Sequence, residues 1–125
     1  MKVEIPNGDL VDKITILKIK LRMVTDKEKL KNIRKEYKIL KPLLKEIGMS
    51  ERQKLFLELV HVNQNLWGVE DELRKLESIN DFDKKFIELA RQVYYINDER
   101  ARIKKEINLK TKSELVEEKS YENYK

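Results

Sequence analysis

Two apolar seams lie either side of a short gap between Leu55 and Ile107, and they leave little choice of fold. The first runs Leu55, Leu59, Val62, Leu66, Val69, Leu73, Leu76. The second runs Phe82, Phe86, Leu89, Val93, Ile96, then Arg100 where an apolar residue is due, then Ile103 and Ile107. Alternating steps of four and three are the period of a helix stripe packed against another helix. Only Ser78 to Asn80 intervene, so the two helices must fold back antiparallel.

The first half of the chain carries a second helical pair. Asn7 or Asp9 is placed to cap a helix whose stripe is Leu10, Ile14, Leu17 and Leu21, widened by Val11 and Ile16. Thr25 with Glu28 reads as a capping box ahead of Leu30, Ile33, Tyr37 and Leu40. Pro42 predicts a break, Gly48 a stop, and Ser50 with Gln53 the start of the first long helix. Asn80 or Asp81 is expected to open the second. Ser113 is placed to cap a last short turn through Glu117, with 119–125 as a frayed tail. The expected fold is all-α: one domain over 1–125, an antiparallel bundle of two helical hairpins. The long pair outreaches the short one, so a homo-oligomer is expected.

Composition narrows the function. With 41% charged and 40% apolar residues the chain suits long amphipathic helices with a solvated face. A net charge of +5 favours anionic partners. Because basic residues look interleaved with acids along the chain, nucleic acid ranks only third among them. The absence of cysteine excludes disulfides and thiolate metal sites, and the single histidine, His61, has no ligand set around it, so no metal or cofactor is expected. No apolar run approaches a membrane span, and a reducing cytoplasm is the expected compartment.

Antiparallel pairing places positions summing to roughly 160 at one level, given a rise of about 1.5 Å per residue. One cross-section then collects Asn63, Trp67, Asp71, Arg91, Tyr94, Asn97, Asp98 and Arg100, with Arg102 and Lys104 a turn on and Lys13 within reach from the first helix. Asn63 is expected near Asn97, and Asp71 near Arg91. Aromatic faces, amides and guanidinium forks suit a ligand with a ring to stack and a phosphate or carboxylate to grip. Each residue alone also has a structural reading: Asn63 as a register lock, Asp71 with Arg91 as an ion pair, Trp67 and Tyr94 as filler. Arg100, on the seam, must be paired, reach solvent, or face a cavity. The segment Glu117 to Tyr121 could close over such a pocket, although a solvated tail is the simpler expectation.

The chain has no glycine-rich phosphate loop and no nucleophile–histidine–carboxylate set, so no catalytic residue is assigned. Asp12, Lys20, Arg22 and Arg34 bear a faint likeness to a small helical mutase that grips a dicarboxylate electrostatically. Four stretches, from Ile5 to Leu17, Val62 to Asp71, Phe86 to Asp98 and Glu114 to Tyr121, together resemble a small all-helical domain family of unknown function from bacteria and their phages. Some of its members are associated with glycosyltransferase or tetratricopeptide modules. Lys18 departs from the family pattern, which has an acid there. The resemblance implies a fold and a set of positions rather than a reaction. The leading expectation is a non-enzymatic protein that sequesters a small anionic, nucleotide-derived ligand, as a phage protein capturing a host immune signal would. The alternative is an accessory interaction module for glycan-biosynthesis enzymes.

Overall fold

The computed structural model describes residues 1–124; Lys125, the last residue of the expected tail, lies outside the described residues. Four long helices and one short one follow in order: α1 Asn7–Met23, α2 Lys27–Leu40, α3 Leu43–Glu46, α4 Lys54–Ser78 and α5 Lys84–Lys110. The expected two-hairpin bundle is what forms, and no strand occurs among the described residues. The cross-hairpin pairs Glu58–Arg102 at 3.9 Å and Glu72–Lys85 at 3.8 Å place the long helices in the register the seams predict.

The four long helices are not equivalent. α1 packs on α2, α4 and α5, so it is buried nearly all round, including Leu10, Val11, Ile14, Leu17 and Ile19. A helix wrapped on every side needs apolar residues on every side, which is why Ile19 lies off the expected stripe yet is buried. α2 packs on α1 and α3; its stripe of Leu30, Ile33, Tyr37 and Leu40 is only half-buried. The core therefore sits at the open end of the long hairpin, where Ile14, Phe56, Leu59, Ile103 and Ile107 are almost wholly buried. Phe56, one residue off the predicted seam, is fully buried because α4 is covered here by α1 as well as by α5. Toward the hairpin tip that cover ends, and Ile79, Phe82 and Ile87 are exposed.

Several ends differ from expectation. Asp26, not Thr25, caps α2, its carboxylate accepting from the Lys29 amide at 2.9 Å. The N-cap position of α5 is Asp83; Asn80 instead ends α4 at φ 54, closed by the Asp81 amide on the Leu76 carbonyl at 2.9 Å. Gln53, rather than Ser50, holds the N-cap position of α4. The break at Pro42 and the stop at Gly48 occur as expected, Gly48 adopting φ 77.

The start of α1 is the least local feature of the fold. Neither Asn7 nor Asp9 caps it. The Asn108 side chain accepts from the Gly8 amide at 2.6 Å and the Ser113 hydroxyl accepts from the Asn7 amide at 2.9 Å. The end of α5 thus satisfies two orphan donors of α1, a hundred residues away in sequence. The approach is so close that a Cβ on Gly8 would lie 2.4 Å from the Lys104 carbonyl oxygen.

Candidate functional site

Asp12 on α1 is buried, and its carboxylate is the hub of a polar network across three helices. It accepts from Arg100 Nε at 2.9 Å and Arg100 Nη2 at 2.5 Å on α5, and from Asn63 Nδ2 at 2.9 Å on α4. Asn63 Nδ2 also donates to the Thr15 hydroxyl at 2.9 Å, and that hydroxyl donates to the Asp12 carbonyl at 2.7 Å. The arginine that interrupts the seam is paired, and its partner is on α1 rather than on the facing helix. Hydrogen bonding to Asp12 holds the Arg100 guanidinium above its ordinary value, outweighing burial.

Arg100 is about one-quarter exposed, and its open edge faces a cavity of about 740 Å³. One wall of the cavity is α5: Val93, Tyr94, Asn97, Asp98, Arg100, Ala101 and Lys104. The other is the extended segment after α5, through Lys119, Tyr121, Glu122 and Tyr124. No capped turn forms after Ser113; the chain runs back along α5 instead. Its ties are Lys105–Glu118 at 2.9 Å, the Tyr124 hydroxyl on Asp98, and the Tyr124 ring against Tyr94 and Tyr95 at 5.0 and 5.1 Å. The hydrogen bond to Asp98 pushes the Tyr124 phenol up to about 12.

The cations here are matched by acids. Arg100 pairs with Asp12, Lys104 with Asp9 at 2.9 Å, and Lys119 with Glu117 at 2.8 Å. The Lys119 hydrogen bond draws the Glu117 carboxyl below its usual range, with Lys104 adding to the effect. Each cation keeps spare N–H donors, but Asp98 and Glu122 also line the cavity, so the acids around it outnumber the cations by five to three. Tyr94 and Tyr124 brace each other, whereas the Tyr121 ring stands 70% exposed at the cavity's edge.

Five of the residues singled out from sequence line this cavity: Tyr94, Asn97, Asp98, Arg100 and Lys104. Arg102 borders a smaller adjacent hollow of about 270 Å³ and is engaged by Glu99 and Glu106 on its own helix. The remaining five do not line it. Lys13 pairs with Glu36 of α2 at 3.2 Å, and Asp71 with Lys75 at 3.8 Å rather than with Arg91. Asn63 is the register lock, bonded to Asp12 and not to Asn97. Trp67 is half-buried on α4, away from the cavity. Arg91 is exposed and raised by the hydroxyls of Tyr94 and Tyr95. Lys20, Arg22 and Arg34 of the mutase-like pattern lie on α1 and α2, not along the cavity.

Sequence reasoning missed Tyr124 as a partner of this site and placed Asp12 only in the mutase-like pattern; Lys119 and Tyr121 fall in the segment it offered as one that could close over a pocket. A buried acid on α1 was the signal available, since an arginine set into a seam demands a counter-charge from some third element. Lys18 has a structural role: it pairs with Glu51, which also meets Lys41 at 3.3 Å and the Tyr37 hydroxyl at 3.2 Å. No helix of the described residues is long and apolar enough to cross a membrane, and no cluster of three metal-ligating side chains occurs among them.

A profile of the family of unknown function DUF6165 matches residues 1–124, and the chain belongs to that family. A search of curated proteins and a search of solved structures each found no match.

Proposed function

We propose that the protein binds a small ring-bearing ligand, nucleoside-derived and carrying no more than a small negative charge, in the cavity between α5 and the segment that follows it. The observation that supports this reading is the composition of that cavity. An exposed tyrosine ring, an amide and three cations with unused donors converge on a space of about 740 Å³, the size of a small-molecule site. Tyr121 stacks on the ring, Asn97 and Asp98 read polar edges, and Arg100, Lys104 and Lys119 meet the anionic group. Because Asp9, Asp12 and Glu117 already balance those cations and Asp98 and Glu122 add two further acids, a nucleoside or a singly charged cyclic nucleotide suits the site better than a triphosphate.

The lining consists of stacking and hydrogen-bonding groups, which suits sequestration. A thermal-shift screen of nucleosides, cyclic nucleotides, nucleotide sugars and triphosphates tests this. A ligand at 100 times its dissociation constant adds about 2.7 kcal/mol. Tyr121→Ala should abolish the shift while leaving the ligand-free melting temperature unchanged, since that side chain is exposed. A screen in which no compound stabilises the protein defeats the reading.

A second reading, docking of another copy of the chain on the distal hairpin, is favoured by the uncovered Ile79, Phe82 and Ile87. Residues 70–77 of α4 carry a net −2 and residues 84–91 of α5 a net +2, but Lys75, Lys84 and Lys85 are already paired with acids of the same arm, so the apolar patch rather than charge carries this reading. Sedimentation equilibrium should then show a dimer that Ile87→Lys converts to monomer; a monomer at all concentrations removes it.

A further inference from the structure

The chain's charge is far from evenly spread. Between Lys13 and Lys45 it carries twelve basic and three acidic residues, a net of +9, which leaves −4 on the rest of a +5 chain. In sequence this looks like interleaving. On α2 it becomes a line: Lys27, Lys31, Arg34 and Lys38 recur at steps of four and three, which puts them within about 40° of one axial line at 3.6 residues per turn. All four are exposed, as are Lys35 and Lys45 beside and beyond them. Lys13, Lys18 and Lys41 are neutralised by Glu36 and Glu51. The four stripe residues have no carboxylate within 4.0 Å among the described residues.

We infer that this face of α2 is a docking surface for the phosphate backbone of a nucleic acid, read without regard to sequence. Successive cations stand about 5 Å apart along a rigid helix, a continuous track over roughly 16 Å. The stripe is mostly lysine and has no amide or aromatic group along it. Point charges without base-reading side chains contact phosphates, not base edges. An acidic protein partner would require apolar or aromatic anchors, and none lies on the line. A membrane surface would require the apolar face of α2 to insert, yet Leu30, Ile33, Tyr37 and Leu40 are turned toward α1. Ile39, the one large apolar residue exposed on α2, lies about a third of a turn from the stripe.

The test is fluorescence anisotropy of the full chain with a short labelled duplex across a salt series. Four neutralised phosphates give a slope of log affinity on log salt of about −3.6, or about a 100-fold loss between 50 and 200 mM salt. The variant K27Q/K31Q/R34Q/K38Q, all exposed positions whose helicity circular dichroism verifies, should flatten that slope and lose binding at low salt. Tyr121→Ala should leave it untouched, which separates this surface from the cavity. No duplex binding at low salt, or binding that the quadruple variant retains, overturns the inference. So does retention on phosphatidylglycerol vesicles without duplex binding, which would make the stripe a membrane contact.

Discussion

Breaking the Asp12–Arg100 pair tests the network beneath the cavity directly. Asp12→Ala removes the acceptor of two Arg100 donors and one of two acceptors of Asn63 Nδ2, which keeps Thr15. What remains is a guanidinium about three-quarters buried, with a 3.4 Å hydrogen bond to Asn97 and only the more distant charges of Glu70 and Asp9 in place of its paired carboxylate. Removing one partner of a buried pair costs about 3–5 kcal/mol; the open edge of Arg100 lowers that to about 3 kcal/mol. Arg100→Met leaves the nearly buried Asp12 carboxylate on a single amide donor and costs a similar amount. The double variant leaves no orphan charge, so it should cost no more than either single, a coupling of at least about 3 kcal/mol. Urea denaturation reads this: with a slope near 2 kcal/mol/M, a loss of about 3 kcal/mol moves the midpoint by about 1.5 M. Singles that each cost under about 1 kcal/mol, or a double variant at the sum of the singles, would refute the claim that this pair holds α1 to α5.

The remaining expectations concern the helix junction, the second ion-pair cluster and the tyrosines. Gly8→Ala should destabilise by about 1–3 kcal/mol in the same denaturation assay despite alanine's better helix propensity, because the contact at 2.4 Å is with backbone that cannot step aside. Burial pushes Glu51 up, but hydrogen bonds and charge from Lys18 and Lys41 outweigh it, so its carboxyl is lowered from 4.5 in the folded state. Its stabilisation is therefore fully present above that value and lost as pH falls through the folded one, and Glu51→Gln should flatten the acid limb of a stability–pH profile. Burial and Glu51 together raise the Tyr37 phenol to about 12, so the folded chain should lose stability as pH rises from 10 toward that value. In a spectrophotometric titration Tyr37 and Tyr124 should ionise late, and Tyr124→Phe should remove one late-titrating group if the segment after α5 rests against Asp98.

The long hairpin was legible because helix–helix packing writes itself into a repeat of three and four, and two such repeats flank one gap. The rest followed from how far apart partners lie. Asn108 and Ser113 cap α1 from the other end of the chain, so no local capping signal at Asn7 or Asp9 could announce them. The interruption at Arg100 showed that a counter-charge was needed, but Asp12 is 88 residues away and is read locally as one acid among apolar neighbours. Trp67 and Arg91 were drawn into the candidate site by a cross-section that counts level along the hairpin and ignores azimuth. Residues at one height can still face different sides. The outer cavity wall, Lys119 to Tyr124, has no periodicity at all, because extended chain held by single contacts obeys no repeat.

The same geometry decides which substitutions can speak about function. Arg100 belongs to both the buried network and the cavity, so any loss of binding in its variants is confounded with loss of α1. Lys104 is confounded in the same way, since its ammonium meets Asp9 and its carbonyl touches Gly8. Tyr121 and Glu122 line the cavity from the exposed segment, outside the α1–α5 junction. Their replacement can remove a ligand contact without moving a helix. Binding lost on Tyr121→Ala at constant stability therefore locates the ligand in this cavity, whereas binding lost only through Arg100 would report no more than the integrity of the bundle.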